Sequence, residues 1–195
     1  MTADTAWQAL LDGNGRYASD TARNCNKNYN RRVEVAAGQH PFAMILGCAD
    51  SRVPPEVVFD QRLGDLFTVR VAGNVADDIA IGSFEYAVLH FAPSLLVVLG
   101  HEKCGAVDAT LDAVKTGSTA PGQIGSIVAA IKPAVSAFQA GSPGALDHAV
   151  RANAKAVANS LAVRSTVMKE AVATGKLRIM AAYYSLTDGR VRSLD

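Results

Sequence analysis

The sequence is poor in the features that would announce many function classes. Nineteen Lys and Arg against eighteen Asp and Glu give a formal charge of +1, so neither nucleic acid nor an anionic membrane surface is called for. No long apolar run exists. The strongest, Ser94-Leu-Leu-Val-Val-Leu-Gly100, falls far short of the roughly 20 residues that a membrane-crossing helix needs. The first twenty residues, with Trp7, Gln8, Asp12, Asn14 and Arg16, lack the basic start and apolar stretch of a secretory signal, and a cytoplasmic protein is expected. Cysteine is scarce and odd in number: Cys25, Cys48 and Cys104. In a chain of 195 residues, of which 49% are hydrophobic, disulfides are not needed to hold a core, so metal or redox chemistry in a reducing compartment is favoured. There is no internal repeat, and one domain over 1–195 is expected.

What is present is a series of buried strands separated by helical patterns. Residues 42–48, Phe-Ala-Met-Ile-Leu-Gly-Cys, and Leu95 to Gly100 show no polar alternation, as expected of strands covered on both faces of a parallel sheet. Between them, 66–71 reads as another strand, and Asp77 to Phe91 as a helix with Ile79, Phe84, Val88 and Phe91 on its apolar side. A βαβ unit follows, and the fold class is α/β with a mostly parallel sheet flanked by helices. Residues 5–18 predict a short helix interrupted by Gly13 and Gly15, and the Asn-rich stretch 19–35 a polar loop or arm that needs something to lie against; together, 1–35 form the arm. Residues 39–107 carry the core of the site. Beyond it, 108–195 contains a helix from Gly105 to Lys115, Ala-rich helices near 123–139 and 145–173, a strand within 176–186, and a turn at Thr187-Asp-Gly189 into residues 190–194.

Two motifs stand at the ends of apolar runs, where open α/β sheets build their sites. They are Cys48-Ala-Asp-Ser-Arg52 and His101-Glu-Lys-Cys104, some fifty residues apart. Zinc takes thiolate and imidazole ligands, and a catalytic zinc has three of them with a fourth position open, so Cys48, His101 and Cys104 form a candidate set. The competing readings are two small buried cysteines beside a satisfied core histidine, or a Cys48–Cys104 disulfide. Cys25 has no assigned role. Asp50 and Arg52 form a candidate ion pair in which the guanidinium keeps the carboxylate charged; the alternative is a turn aspartate with a solvated arginine.

These motifs, together with Gly64-Asp-Leu-Phe-Thr-Val-Arg70, Ala72-Gly73-Asn74, Phe84-Glu-Tyr-Ala-Val88 and Val97-Val-Leu-Gly-His101, resemble the β-class carbonic anhydrases. The likeness is dense over 39–107 and weaker at Leu11-Asp-Gly-Asn14 and at 184–191. The resemblance implies one Zn²⁺ per subunit on Cys48, His101 and Cys104, with Asp50 and Arg52 as the catalytic dyad. It implies reversible hydration of carbon dioxide to bicarbonate and a proton by zinc-bound hydroxide. It also implies a closed state in which Asp50 takes the fourth zinc position. Gln39, Phe67, Tyr86 and Gly105 match substrate-pocket positions, and Tyr86 matches a tyrosine that reaches a neighbouring subunit, so a homodimer or higher even assembly is expected. Carbon disulfide or carbonyl sulfide hydrolysis on the same scaffold, a redox or metal-storage protein, and a non-catalytic zinc-binding relative are the alternatives. Glu102 and Lys103 depart from the commonest pattern of the second motif.

Overall fold

The computed structural model describes residues 1–23 and 29–195. Among the described residues, five strands form one sheet: β1 Ala43–Gly47, β2 Leu66–Arg70, β3 Leu95–His101, β4 Arg178–Tyr184 and β5 Val191–Ser193. They lie in the order β2-β1-β3-β4-β5, parallel throughout except for the β4–β5 pair. Every residue of β1 and β3 is buried, which is why their sequences show no polar alternation. One layer packs Ile45, Val97, Leu99 and Met180 against Leu10, Val107, Leu111, Ile131 and Val150. The other packs Met44, Leu46, Leu96 and Val98 against Phe84, Leu161 and Met168. Strand order reverses between β1 and β3, the place where an open α/β sheet leaves a crevice at its carboxyl ends.

The helices are α1 Ala3–Ala18, α2 Tyr29–Val35, α3 Pro55–Val58, α4 Asp78–Phe91, α5 Gly105–Thr116, α6 Ile124–Val135, α7 Ala145–Arg164 and α8 Thr166–Ala173, with a 3-10 turn over Ala72–Asn74. Four differ from the expectations in instructive ways. Helix α1 is not interrupted: Gly13 lies inside it because a Cβ there would stand 1.8 Å from the Phe59 carbonyl oxygen. Close docking of α1 on the segment after α3 outweighs the roughly 1 kcal/mol a helical glycine costs. The stretch 19–35 is not all loop. Its last seven residues form α2, which buries none of its own residues and is held by Arg31, whose guanidinium reaches the Leu63 carbonyl and Asp65 at 2.8 and 2.9 Å. The neighbouring Cys25 lies outside the described residues. In α4 the buried stripe is Ala80, Ile81, Phe84 and Ala87, and Ile79 is 79% exposed, so small alanines set the packed face. Finally, 145–173 is two helices, because the buried Ser165 hydroxyl accepts from Met168 N and starts α8 as its N-cap.

Among the described residues, no helix is long and apolar enough to cross a membrane.

Candidate metal centre

Cys48 follows directly on β1, His101 is the last residue of β3, and Cys104 is the N-cap of α5. Adjacent parallel strands ending together bring the two motifs into one crevice. The ligand atoms of Cys48, His101 and Cys104 lie within 4.8 Å of one another, and all three residues are buried. Both cysteines are free thiols, so no disulfide joins them.

Electrostatics in the crevice favour a cation. The Cys48 thiol is lowered, first by its hydrogen bond with Cys104, against burial, and further by the backbone N–H groups of Asp50 and Gly73. Those N–H groups donate to Cys48 Sγ at 3.4 and 3.3 Å. Gly73 can do so because its φ of 66° is left-handed and because a Cβ there would come within 2.6 Å of Ile131. Cys104 is pushed the other way, by Cys48 first and by burial. His101 Nδ1 lies 2.9 Å from the Glu102 carbonyl oxygen, which can only accept, so Nδ1 carries the ring hydrogen. In the neutral ring, Nε2 then keeps its lone pair, and it is buried with no hydrogen-bond partner among the described residues. An orphaned imidazole nitrogen beside two thiols is a donor set that suits a zinc ion in chemistry and number.

Asp50 stands at the edge of this trio, with Oδ2 4.0 Å from His101 Nε2. Arg52 grips it: the backbone N and Nε donate to Oδ1 at 2.9 Å each, and Nη2 donates to Oδ2 at 2.7 Å. The Arg52 hydrogen bond outweighs desolvation and holds Asp50 well below the usual carboxylate range. Arg52 Nη2 also reaches the Lys103 carbonyl at 3.4 Å, tying the first motif to the second.

The pocket residues expected from the sequence are more dispersed. Gly105 opens α5 beside Cys104 and is exposed, with open space where a Cβ would be. Phe67 and Tyr86 lie on the α4 side of the sheet, where each ring meets Phe91, at 6.2 and 5.7 Å. Gln39 is exposed in the segment before β1, whereas Cys48 follows β1, so the strand separates them within one chain. Two residues given no role on the sequence serve the site through the backbone. Arg70, ending β2, donates to the carbonyls of Cys48 and Asp50 at 2.9 and 2.5 Å, and Glu102 accepts from the β4–β5 turn. The only sequence signal for either was its position, at a strand end or between two ligands.

Residues 43–191 match a family model described as carbonic anhydrase. Carbonic anhydrase 2 of Mycobacterium tuberculosis H37Rv is 40% identical over 185 residues, covering 95% of this chain and 89% of that protein. A carbonic anhydrase of Mycolicibacterium smegmatis is 39% identical over 186 residues, covering 95% and 90%. Among solved structures, the β-carbonic anhydrase of Coccomyxa in complex with acetazolamide superposes with a TM-score of 0.76 at 28% identity, covering 95% of this chain and 84% of that one. One of the tetrameric β-carbonic anhydrases of Sordaria macrospora gives 0.76 at 22% identity, covering 97% of each, a likeness of fold.

Proposed function

The chain belongs to the β-class carbonic anhydrase family of zinc-dependent lyases, and on that premise we propose that Cys48, His101 and Cys104 hold one zinc ion per chain while Asp50 and Arg52 complete a site for reversible hydration of carbon dioxide. The observation that carries the reading is the buried trio with its orphaned His101 Nε2, set beside an ionised carboxylate. When bound, zinc would supply Lewis acidity that lowers the pKa of a water and makes a nucleophile available; with two thiolates offsetting its charge, the depression is weaker than the fall from 15.7 to about 7 that a histidine-ligated zinc gives.

The protein's own groups supply orientation. Asp50, kept anionic by Arg52, can only accept, so a reacting water must turn an O–H toward Oδ2 and a lone pair toward the carbon. Both Asp50 oxygens are engaged by Arg52, which would keep the carboxylate from acting as a ligand itself; were Arg52 to release it, Asp50 would be free to turn toward the ion that Cys48, His101 and Cys104 would hold, and so to act as a gate. Arg70 fixes the loop from behind by holding the carbonyls of Cys48 and Asp50.

Carbon dioxide carries no net charge, so its pocket needs apolar walls and few polar contacts. Phe67 and Tyr86 provide walls and Gln39 a polar contact if a second copy lies against the α4 side. Tyr86 is 51% exposed there, with Ile79 and Leu89 exposed beside it, and β2 is an edge strand with one flank unpaired among the described residues. The proposed unit is a homo-oligomer with the site completed between chains, α2 lying against the partner, and an active monomer in solution would contradict it.

Stopped-flow measurement of carbon dioxide hydration beside carbonyl sulfide hydrolysis tests the substrate. Hydration as the dominant reaction is expected; zinc-loaded protein that hydrolyses carbonyl sulfide and leaves carbon dioxide untouched would overturn it.

A further inference from the structure

Glu102 and Lys103 stand between the two ligands of the second motif. Lys103 has φ of 54°, a left-handed conformation that side chains other than glycine hold only where the surroundings impose it. Glu102 is the residue through which they do so. Its backbone N–H donates to the Tyr184 carbonyl at 2.8 Å, extending the β3–β4 ladder. Its carboxylate is held from the turn between β4 and β5: Oε2 accepts from Thr187 N at 2.8 Å and Ser185 Oγ at 3.1 Å, and Oε1 accepts from Thr187 Oγ1 at 2.8 Å. The adjacent ammonium contributes little, since Lys103 Nζ lies 3.7 Å from Oε1 on a side chain that is mostly exposed.

At its other end the same residue presents the carbonyl that accepts from His101 Nδ1. That contact selects the ring tautomer. Were the peptide after Glu102 to turn, Nδ1 would lose its acceptor, and the tautomer with hydrogen on Nε2, useless as a ligand, would no longer be disfavoured.

We propose that Glu102 is a positioning residue of the metal centre: clamped to Ser185 and Thr187, it holds the peptide whose carbonyl orients His101 with Nε2 free to bind metal. This rests on the reading of Cys48, His101 and Cys104 as the zinc ligands. It links the β4–β5 turn, far away in sequence, to metal affinity, and it gives Glu102 a function where the sequence showed only a departure from pattern.

The test uses the full-length protein as wild type, Glu102→Ala, Glu102→Gln and the double variant Ser185→Ala/Thr187→Val, which removes two of the three donors. Zinc affinity is measured by competition with a chromophoric chelator, and ligand geometry by the d–d absorption of cobalt-substituted protein. Glu102→Ala is expected to bind zinc roughly 10- to 100-fold more weakly and to change the cobalt spectrum. The double variant should shift both readouts in the same direction by less. Glu102→Gln should stay within about threefold of wild type, because its amide oxygen can replace Oε2 while its NH₂ donates to Thr187 Oγ1. Wild-type affinity and cobalt spectrum in Glu102→Ala, even with a lower thermal midpoint, would overturn the proposal by showing that the clamp serves the turn alone. If Glu102→Ala does not fold, the same unchanged pair of readouts in the double variant overturns it. A wild-type protein that takes up no metal would instead defeat the reading of the trio, independently of the variants.

Discussion

Replacing Asp50 by asparagine tests the proposed catalytic role of this carboxylate apart from the scaffold that holds it. The carboxylate accepts three hydrogen bonds from Arg52, two on Oδ1 and one on Oδ2. An asparagine has one carbonyl oxygen. If that oxygen keeps the place of Oδ1, its NH₂ group falls where Oδ2 stood, 2.7 Å from Arg52 Nη2, donor against donor, and the guanidinium must swing away. The fold should hardly notice. Half of the Arg52 side chain is exposed, and such pairs contribute about 0–1 kcal/mol, so the thermal midpoint should fall by no more than about 4 °C. The donors to Cys48 Sγ are backbone groups that the substitution leaves in place, so zinc content should equal that of the wild type. On the proposed role of Asp50 the reaction would lose its anionic acceptor, an effect worth about 10²- to 10⁴-fold, or roughly 3–5 kcal/mol in the barrier. Stopped-flow hydration at matched zinc content reads it directly. A zinc-replete Asp50→Asn protein with kcat/KM within about threefold of wild type would remove Asp50 from the mechanism.

Two further substitutions probe the frame around the site. Asn14 is buried, donating to the carbonyls of Val58 and Gly189 at 3.0 and 2.8 Å and accepting from Val191 N at 2.7 Å, so it joins α1 to α3 and to the start of β5. Asn14→Ala strands the Val191 N–H and should cost about 2–4 kcal/mol in urea unfolding; a loss below about 1 kcal/mol would show that water or a shift of α1 replaces the amide. For Asp147, burial acts to raise the pKa, yet the hydrogen bonds from Arg151 and Tyr183 outweigh it and leave the group below its ordinary value. A carboxylate depressed in the folded state stabilises above its unfolded pKa of about 3.9, and that stabilisation fades as pH falls through the folded value. Asp147→Asn should therefore lose less stability than wild type between about pH 5 and pH 3, and identical acid limbs would contradict the assignment.

The central strands and the metal trio were legible because each leaves a local signature: unbroken apolar runs at 42–48 and 95–100, and ligand-type residues at their carboxyl ends. What escaped depends on contacts between distant segments. Helix α2 has no apolar stripe and owes its place to Arg31 docking on the 62–65 turn, so its sequence reads as loop. The break at Ser165 depends on a hydroxyl that meets both Met168 N and Glu85, and nothing in an alanine-rich stretch marks it. Arg70 and Glu102 work by grasping backbone atoms or a turn 20 to 85 residues away, so their types say nothing of their partners. Ile79 misled for the opposite reason: a large apolar side chain suggested the buried face, while the actual face is made by two alanines, Ile81 and Phe84.

Carbon dioxide hydration is proposed to require an ion held by Cys48, His101 and Cys104. Zinc should be stripped with a chelator and returned in steps, with bound metal and stopped-flow hydration measured on the same samples. A rate that rises in proportion to occupancy and levels off near one zinc per chain, and that is absent in zinc-treated Cys104→Ser, is the predicted result. Full hydration by the metal-free protein, or none by the fully loaded protein, would contradict it.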